Sequence, residues 1–235
     1  MDNLLKLKKK EIYINKDLSV NLNEQTIFLA DGGEGLHLWE AAVVLSRYAV
    51  THSSLFDNKT ILELGTGCGL LGICLLLKTN CSKLTFSDYV DSVISNLKDN
   101  ISLNIRTKDK YDILQLDWRE YEKLTEKYDV IIGTELIYQG GYIEELAKLI
   151  KKALKDNGKC YISMPLQRSM TQKFIEYCNE NGLKVNGECF NDFGDENLFC
   201  NVLKDEKENK KLFENLKNMK IMLYTIEHNL FIEGK

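Results

Sequence analysis

The sequence lacks the marks of a secreted or membrane-embedded protein. None of the apolar runs in its 235 residues approaches the roughly 20 residues that span a bilayer. The first residues, MDNLLKLKKKEIYIN, contain no sustained apolar segment followed by a small-residue cleavage site. The seven cysteines are odd in number and form no C-x-x-C pair, which is typical of proteins that keep their thiols reduced. We therefore expect a cytoplasmic protein without a membrane segment, with the nucleus as the alternative compartment.

Two further absences narrow the choice of partners. The three histidines, His37, His52 and His228, are isolated from one another, so no zinc site is predicted. Net charge is −4, and the basic clusters at 6–10 and 204–220 are short or mixed with acidic residues. Neither cluster forms the extended positive face that binds phosphate backbones. We expect no metal and no nucleic acid, and a protein or a small molecule as the substrate.

Pro165 is the only proline, and the chain contains no internal repeat and no low-complexity tract. Hydrophobic residues make up 44% and charged residues 28%, which is ordinary for a soluble globular protein. These features predict a single domain over residues 1–235. Apolar and polar residues alternate near the N-terminus, so residues 1–35 are predicted as a short β extension and residues 36–235 as the core. We expect a monomer.

Strand and helix signals alternate along the core. Apolar runs typical of buried strands are centred on 61–64, 84–87, 112–116, 130–133 and 160–164, and two final strands are predicted at 183–190 and 219–226. Helical spacing predicts helices from Leu36 to Ala49 and at 69–78, 91–104, 142–155 and 167–181. Asn100 and Asn104 are assigned to a helix surface or C-cap. The alternation implies an α/β fold with βαβ crossovers and helices on both faces of a mostly parallel sheet.

The stretch KTILELGTGCGLLG at 59–72 is the most informative part of the chain. A short apolar strand ends in three alternating glycines, Gly65, Gly67 and Gly69, and an apolar helix follows. Such a turn exposes backbone N–H groups beside the positive end of a helix, so it predicts a cofactor site built from main chain. The glycines alone do not choose the cofactor, because Gly67, Gly69 and Gly72 also fit the dinucleotide pattern G-x-G-x-x-G.

Glu63 favours one of the two cofactors. A carboxylate that enters the glycine turn would repel a pyrophosphate group, which requires N–H donors and no anion nearby. The same carboxylate suits S-adenosylmethionine, which carries no phosphate and bears a cationic sulfonium and ammonium. An acidic residue followed by G-x-G-x-G after a strand resembles the first motif of the class I, seven-strand methyltransferases. The alternative is a structural glycine turn in which Glu63 faces solvent.

Candidate cofactor residues also follow the next two predicted strands. In an open α/β sheet, ligands bind at the carboxyl ends of the strands where strand order reverses. Asp88 stands about 20 residues past the glycines, where an acidic side chain accepts hydrogen bonds from ribose hydroxyls; a helix N-cap is the alternative. After the third strand, Trp118 is predicted to cover an adenine ring and Asp117 to accept from the adenine amino group. A tryptophan that merely plugs the core is the rival interpretation.

The fourth predicted strand is followed by Thr134, Glu135 and Tyr138. Glu135 and Tyr138 would share one face if this segment formed a helical turn. A lysine nucleophile must arrive neutral, although its pKa is near 10.4 in water. An acidic group and a phenol at the mouth of a pocket align such an amine. Glu135 would also stabilise the ammonium form, so we predict positioning by these two catalytic residues and not direct proton abstraction.

The segment Glu135-x-x-Tyr138 resembles the acidic-x-x-Tyr motif of one group of seven-strand protein methyltransferases, although that group usually has Asp where this chain has Glu. Gly35-x-x-x-Trp39 is similar to a second segment of the group, whose tryptophan lies beside the cofactor. The resemblance runs from about Gly35 to Met164. It implies a Rossmann-like methyltransferase sheet with an antiparallel last strand, and a protein-lysine methyltransferase acting on cytosolic chaperones, AAA ATPases or elongation factors. Its implied cofactor contacts are Trp39, Glu63, Gly65, Thr66, Gly67, Asp88, Tyr89, Asp117, Trp118 and Thr134.

Three alternatives stay open from the sequence. A small-molecule methyltransferase would have an enclosed acceptor pocket, whereas a protein modifier needs an open groove that leads to Tyr138. A nicotinamide-dependent oxidoreductase would use Gly67, Gly69 and Gly72, but Glu63 is misplaced for it and no catalytic Tyr/Lys or His set follows. A binding module would hold S-adenosylmethionine without transferring its methyl group.

Overall fold

The computed structural model describes residues 7–25, 33–138, 141–193, 198, 216 and 218–229. An antiparallel hairpin of β1 (Leu7–Asn15) and β2 (Leu18–Gln25) forms a separate two-stranded sheet. Its alternating apolar residues, among them Ile12 and Val20, are buried against the rest of the chain. The predicted N-terminal β extension is therefore present over 7–25, and its remaining positions at 1–6 and 26–32 lie outside the described residues.

The core alternates strands and helices as predicted. The strands are β3 (Thr60–Leu64), β4 (Lys83–Asp88), β5 (Tyr111–Gln115), β6 (Tyr128–Thr134), β7 (Leu154–Pro165), β8 (Leu183–Cys189) and β9 (Ile221–His228). The helices are α1 (Glu40–Thr51), α2 (Leu70–Lys78), α3 (Asp91–Asn104), α4 (Ile143–Ala153) and α5 (Thr171–Glu180). None of the helices within these described ranges is long and apolar enough to cross a membrane.

Seven strands form the central sheet in the order β5-β4-β3-β6-β7-β9-β8. The pairs from β5 to β7 are parallel, and β9 runs antiparallel to both of its neighbours. The chain builds outward from β3 to β5 and then returns to place β6 on the other side of β3, so strand order reverses between β3 and β6. This arrangement confirms the predicted mostly parallel sheet with an antiparallel last strand, and it locates the ligand crevice at the carboxyl ends of β3 and β6.

Two apolar clusters cover the two faces of the sheet. One joins α1, α2 and α3 with the hairpin, and it contains large buried side chains such as Leu45, Phe56 and Phe86. The other joins α4 and α5, and it contains Phe174 and Leu149. Parallel strands that are buried on both sides are expected to be nearly continuous apolar runs, which is why the strand positions were readable from sequence.

Four helix boundaries differ from the predicted ones by two residues or more, and one of them is the end of α1, at Thr51 and not at Ala49. Gly33–Leu36 forms a 3-10 helix and α1 begins only at Glu40, so the predicted start at Leu36 is wrong. Helix α4 ends at Ala153 and not at 155, and the chain enters β7 directly at Leu154. Helix α5 begins at Thr171 and not at 167. At α1 and α4 the apolar pattern continued past the helix end because the flanking residues Leu36, Leu38 and Leu154 are also buried. Residues 167–170, ahead of α5, are partly or fully exposed.

The prediction that Asn100 and Asn104 are helix-surface or C-cap residues is wrong. Both side-chain amides face β2 and form hydrogen bonds with its backbone N–H and C=O groups, in place of a neighbouring strand. The Asn100 Oδ1 atom accepts from the backbone N–H of Asn23 at 2.7 Å, and the Asn104 amide both accepts from and donates to the backbone of Asn21, at 2.9 and 2.7 Å. Asn100 also donates to the carbonyl of Cys68 at 3.0 Å, so this amide ladder ties the hairpin to the glycine turn.

Candidate active site

A cavity of about 420 Å³ opens at the carboxyl ends of β3, β4 and β6, where strand order reverses. All twelve residues that were predicted from the sequence as site residues line this cavity. Within the described ranges, no group of three or more His, Cys, Asp or Glu side chains is arranged to hold a metal ion. The lining residues predicted from sequence are Trp39, Glu63, Gly65, Thr66, Gly67, Asp88, Tyr89, Asp117, Trp118, Thr134, Glu135 and Tyr138.

The glycine turn forms the floor of the cavity. Gly65, Gly67 and Gly69 all have positive φ angles, of 55°, 52° and 83°, which side-chain-bearing residues rarely adopt. Close packing adds a second requirement, because a Cβ atom on Gly67 would lie 3.0 Å from the carbonyl oxygen of Gly35. The turn therefore brings bare backbone to the cavity wall directly before α2.

Glu63 is buried inside this turn, and the interpretation that it faces solvent is wrong. Its side chain is 3% exposed and its Oε2 atom accepts a hydrogen bond from the Thr66 hydroxyl at 2.8 Å. Burial raises the pKa of Glu63 to about 8, although hydrogen bonds from Thr66 and from the backbone N–H of Gly72 oppose the shift. A carboxyl group in this state is ready to ionise when a cationic ligand approaches.

Asp88 at the end of β4 is fixed by three backbone donors. Its Oδ1 atom accepts from the N–H groups of Tyr89 and Val90, at 2.8 and 3.2 Å, and its Oδ2 atom accepts from Gly67 at 3.2 Å. Burial raises the pKa of Asp88 against these donors. Val90, and not Asp88, occupies the N-cap position of α3. Asp88 thus joins the glycine turn to the end of β4 and faces the cavity with its remaining acceptor capacity.

Asp117 and Trp118 follow β5, as the sequence indicated, but Asp117 has a partner that the sequence did not reveal. Both of its carboxylate oxygens accept from the Arg119 side chain, with Nε at 3.0 Å from each. This ion pair holds the pKa of Asp117 below its usual range. Any contact from Asp117 to a ligand must therefore be shared with Arg119. Trp118 is partly buried and lies with its ring near Gly65, on the cavity wall.

Glu135 and Tyr138 both line the cavity, but the expected helical turn between them is not formed. Residues 135–138 are not helical, and Glu135 itself has a φ of +57°. A left-handed backbone at a non-glycine residue is costly and is found mainly at functional sites. The Glu135 N–H bonds to the Ser163 carbonyl on β7 at 2.9 Å, and Leu136 fills the space over Gly65 and Gly133. These contacts hold Glu135 toward the cavity.

Trp39 enters the site from the segment that precedes α1. It is the N-cap residue of that helix, and its ring meets the His37 ring edge-on, with 5.0 Å between centroids. His37 in turn pairs with the buried carboxylate of Glu24 at 2.7 Å. The hairpin therefore supports the wall of the cavity that Trp39 and His37 form.

Arg168 and Tyr142 are the main cavity residues that sequence reasoning missed. Arg168 follows β7 and forms an ion pair with Glu135, while Tyr142 precedes α4 and stacks with Arg119 at 4.8 Å from guanidinium carbon to ring centroid. Both follow strands whose carboxyl ends face the crevice, so their position after a strand could have predicted them as cavity residues. Neither belongs to a recognisable sequence motif, and many other residues also follow a strand, so position alone was not enough.

The seven-strand sheet and the position of this cavity are those of the class I methyltransferase fold. The chain belongs to the lysine methyltransferase family, whose model matches residues 15–181. It is 35% identical over 132 residues to the histidine protein methyltransferase 1 homolog of Dictyostelium discoideum, covering 55% of this chain and 42% of that protein. It is 28% identical over 181 residues to the protein-lysine N-methyltransferase EFM3 of Chaetomium thermophilum, covering 72% and 54%.

Human protein-lysine N-methyltransferase EEF2KMT is a third relative, 30% identical over 147 residues, which is 57% of this chain and 44% of that protein. The chain thus spans about half the length of the relatives that it matches. Solved structures agree on the fold. SMU.776, determined in complex with SAH, aligns with a TM-score of 0.63 at 13% identity, covering 96% of this chain and 57% of that one. Precorrin-6y C5,15-methyltransferase from Geobacter metallireducens aligns with a TM-score of 0.55 at 14% identity, covering 78% and 86%.

Proposed function

We propose that this protein is an S-adenosylmethionine-dependent protein methyltransferase that N-methylates a lysine side chain of a cytosolic protein, of the chaperone, AAA ATPase or elongation-factor type. One observation carries the proposal. A single cavity is lined by a buried carboxylate in a glycine turn, Glu63, and by an acidic residue and a phenol, Glu135 and Tyr138. Family membership supports the same reaction class.

The residues of the cavity fit the methyl donor, which supplies an electrophilic methyl group on a cationic sulfur. In our proposal Glu63 and the backbone of Gly65, Thr66 and Gly67 hold its charged amino-acid portion. Asp88 accepts hydrogen bonds from the ribose hydroxyls, and Trp118 covers the adenine. Tyr89, Asp117, Thr134 and Trp39 complete the cofactor-binding wall.

In our proposal the acceptor amine is aligned by Glu135, whose side chain is buried in the cavity, and by Tyr138 at the rim. Tyr138 is 38% exposed and Tyr142 45% exposed, so the rim presents aromatic surface to an arriving protein chain. The amine must lose its extra proton before it attacks, because the N–C bond forms from the nitrogen lone pair as the S–C bond breaks. Desolvation at the cavity mouth favours the neutral amine.

Relatives of the chain support a protein substrate, and they also suggest a second acceptor. EFM3 and EEF2KMT are named protein-lysine methyltransferases, whereas the Dictyostelium relative is named a histidine protein methyltransferase. Acid hydrolysis of the labelled product separates methyl-lysine from methylhistidine. Recovery of label only in methylhistidine would replace the lysine proposal while leaving protein methylation in place.

The primary test is a methylation assay on cell lysate with labelled S-adenosylmethionine. We expect a labelled protein band with the wild type and none with Gly67→Arg, since a long side chain at this turn would meet the Gly35 backbone. Arg106→Gln, at an exposed position, is the control that keeps activity. Mass spectrometry of the band identifies the substrate and the residue together. No band above the Gly67→Arg background would contradict the proposal.

Thermal-shift titration separates the remaining alternatives. A ligand that binds only the folded chain raises its apparent stability, so S-adenosylhomocysteine should stabilise the protein and NADH should not. Stabilisation together with methylation of small molecules and no labelled protein would favour the small-molecule enzyme. Stabilisation with no turnover at all would favour the non-catalytic binding module.

We also propose that the protein is a monomer and that it is cytoplasmic. Gel filtration tests the first proposal, and fractionation of cells tests the second.

A further inference from the structure

Among the residues that the structure describes, the carboxylate of Glu135 has a partner for one oxygen and none for the other. Its Oε2 atom accepts from Arg168, with Nε at 3.0 Å and Nη2 in contact as well. Its Oε1 atom is buried and has no hydrogen-bond partner among the residues that the structure describes. The side chain as a whole is 6% exposed. A buried, unpartnered acceptor that lines a cavity is costly unless a ligand completes it.

Arg168 is placed beside Glu135 by contacts of its backbone and by the Trp39 ring. It lies between β7 and α5, and its carbonyl accepts from both the backbone N–H and the hydroxyl of Thr171, at 3.3 and 2.9 Å. Its guanidinium carbon lies 6.0 Å from the centroid of the Trp39 ring, within range of a cation–π contact. The other charged group that acts on Glu135 is Glu40 at the start of α1, which repels it. Arg168 is thus the cation that pairs with Glu135 and opposes the repulsion from Glu40.

We propose that Arg168 is a positioning residue that neutralises Glu135, so that the unpartnered Oε1 atom orients an incoming amine without holding it as an ammonium ion. The inference rests on the proposed function and explains how an acidic residue can serve it. An isolated carboxylate would stabilise the protonated, unreactive amine by direct attraction. Paired with a guanidinium, the same carboxylate offers a hydrogen-bond acceptor with little net charge.

The pH profile of methylation tests the charge argument. In Arg168→Gln, the acidic limb of kcat/KM should move to higher pH by about one unit, the size of shift that one adjacent charge produces. Arg168→Lys keeps the charge and should restore the position of the limb, although its single ammonium loses the double contact to Oε2. Arg106→Gln removes the same kind of charge from an exposed site and should superimpose on the wild type. An Arg168→Gln profile that is lower but unshifted would overturn the inference.

A second readout does not depend on turnover. The chain has two tryptophans, so Trp118→Phe leaves Trp39 as the only indole beside the Arg168–Glu135 pair. The His37 ring also contacts Trp39, so all proteins in this titration carry His37→Gln. In that background we expect a pH transition of the Trp39 fluorescence that moves to higher pH with Arg168→Gln and disappears with Glu135→Gln. An identical transition in all three proteins would overturn the inference. Absence of methylation by the wild type would instead refute the proposed function, and the fluorescence titration would still show whether Arg168 neutralises Glu135.

Discussion

Replacing Glu63 with glutamine should change the pH dependence of ligand binding in a calculable way. Burial raises the pKa of Glu63 to about 8 in the ligand-free protein, so at pH 7 only about one molecule in ten carries the ionised carboxylate. A ligand whose ammonium group pairs with Glu63 binds only the molecules in which this carboxylate is ionised. The resulting cost is about 1.4 kcal/mol at pH 7 and about 2.7 kcal/mol at pH 6, and it vanishes above pH 9.

The measurement is the dissociation constant of S-adenosylhomocysteine between pH 6 and pH 9, for the wild type and for Glu63→Gln. Dividing one constant by the other removes the titration of the ligand's own amino group. We expect this ratio to change by about tenfold per pH unit below pH 8 and to level off above it. Glu122→Gln, at an exposed position, should follow the wild type. A ratio that is independent of pH would show that Glu63 does not meet a cation and would remove the main argument for the cofactor.

The raised pKa of Glu63 also predicts how the stability of the ligand-free protein depends on pH. Since the folded-state pKa of Glu63 lies above the unfolded value of about 4.3, the folded chain binds more protons than the unfolded chain between these limits. The contribution of Glu63 to stability therefore falls as pH rises from about 4 to 8. Glu63→Gln should remove this decline. The free energy of unfolding in urea, taken as variant minus wild type, should therefore be more positive at pH 8 than at pH 5.

Three further predictions follow from the described contacts. Gly67→Ala and Gly182→Ala each force an alanine into a left-handed backbone, which should lower the free energy of unfolding by about 1–2 kcal/mol. Only Gly67→Ala should also abolish binding of S-adenosylhomocysteine, which a thermal-shift titration measures. Both tryptophans line the cavity, so this ligand should change their emission, and Trp118→Phe should weaken its binding by about 1 kcal/mol in a fluorescence titration. Asn100→Leu leaves backbone groups of the hairpin and glycine turn unpaired and should cost roughly 1–3 kcal/mol in urea unfolding.

The sequence was sufficient for features that depend on local pattern. Strands such as β3 are apolar on both faces, and the glycine turn that follows requires backbone angles that few other residues adopt. The strand ends then placed Asp88 and Trp118 in the cavity, since parallel strands finish at one edge. Contacts between distant positions were not accessible in this way. The amide ladder from Asn100 to β2 joins residues 77 positions apart, and a surface asparagine on a helix has the same local sequence.

Glu135 shows how a local motif can be identified correctly while its geometry is missed. Its spacing to Tyr138 suggested a helical turn, yet the left-handed backbone at Glu135 sends the side chain toward Arg168, 33 positions away. The carboxylate reaches that guanidinium because glutamate is one methylene longer than the aspartate usual in the related group. A shorter side chain on the same backbone would end about 1.5 Å earlier, beyond the reach of a 3.0 Å hydrogen bond. Glu135 and Arg168 therefore form one structural unit in this chain, which the spacing from Glu135 to Tyr138 alone does not reveal.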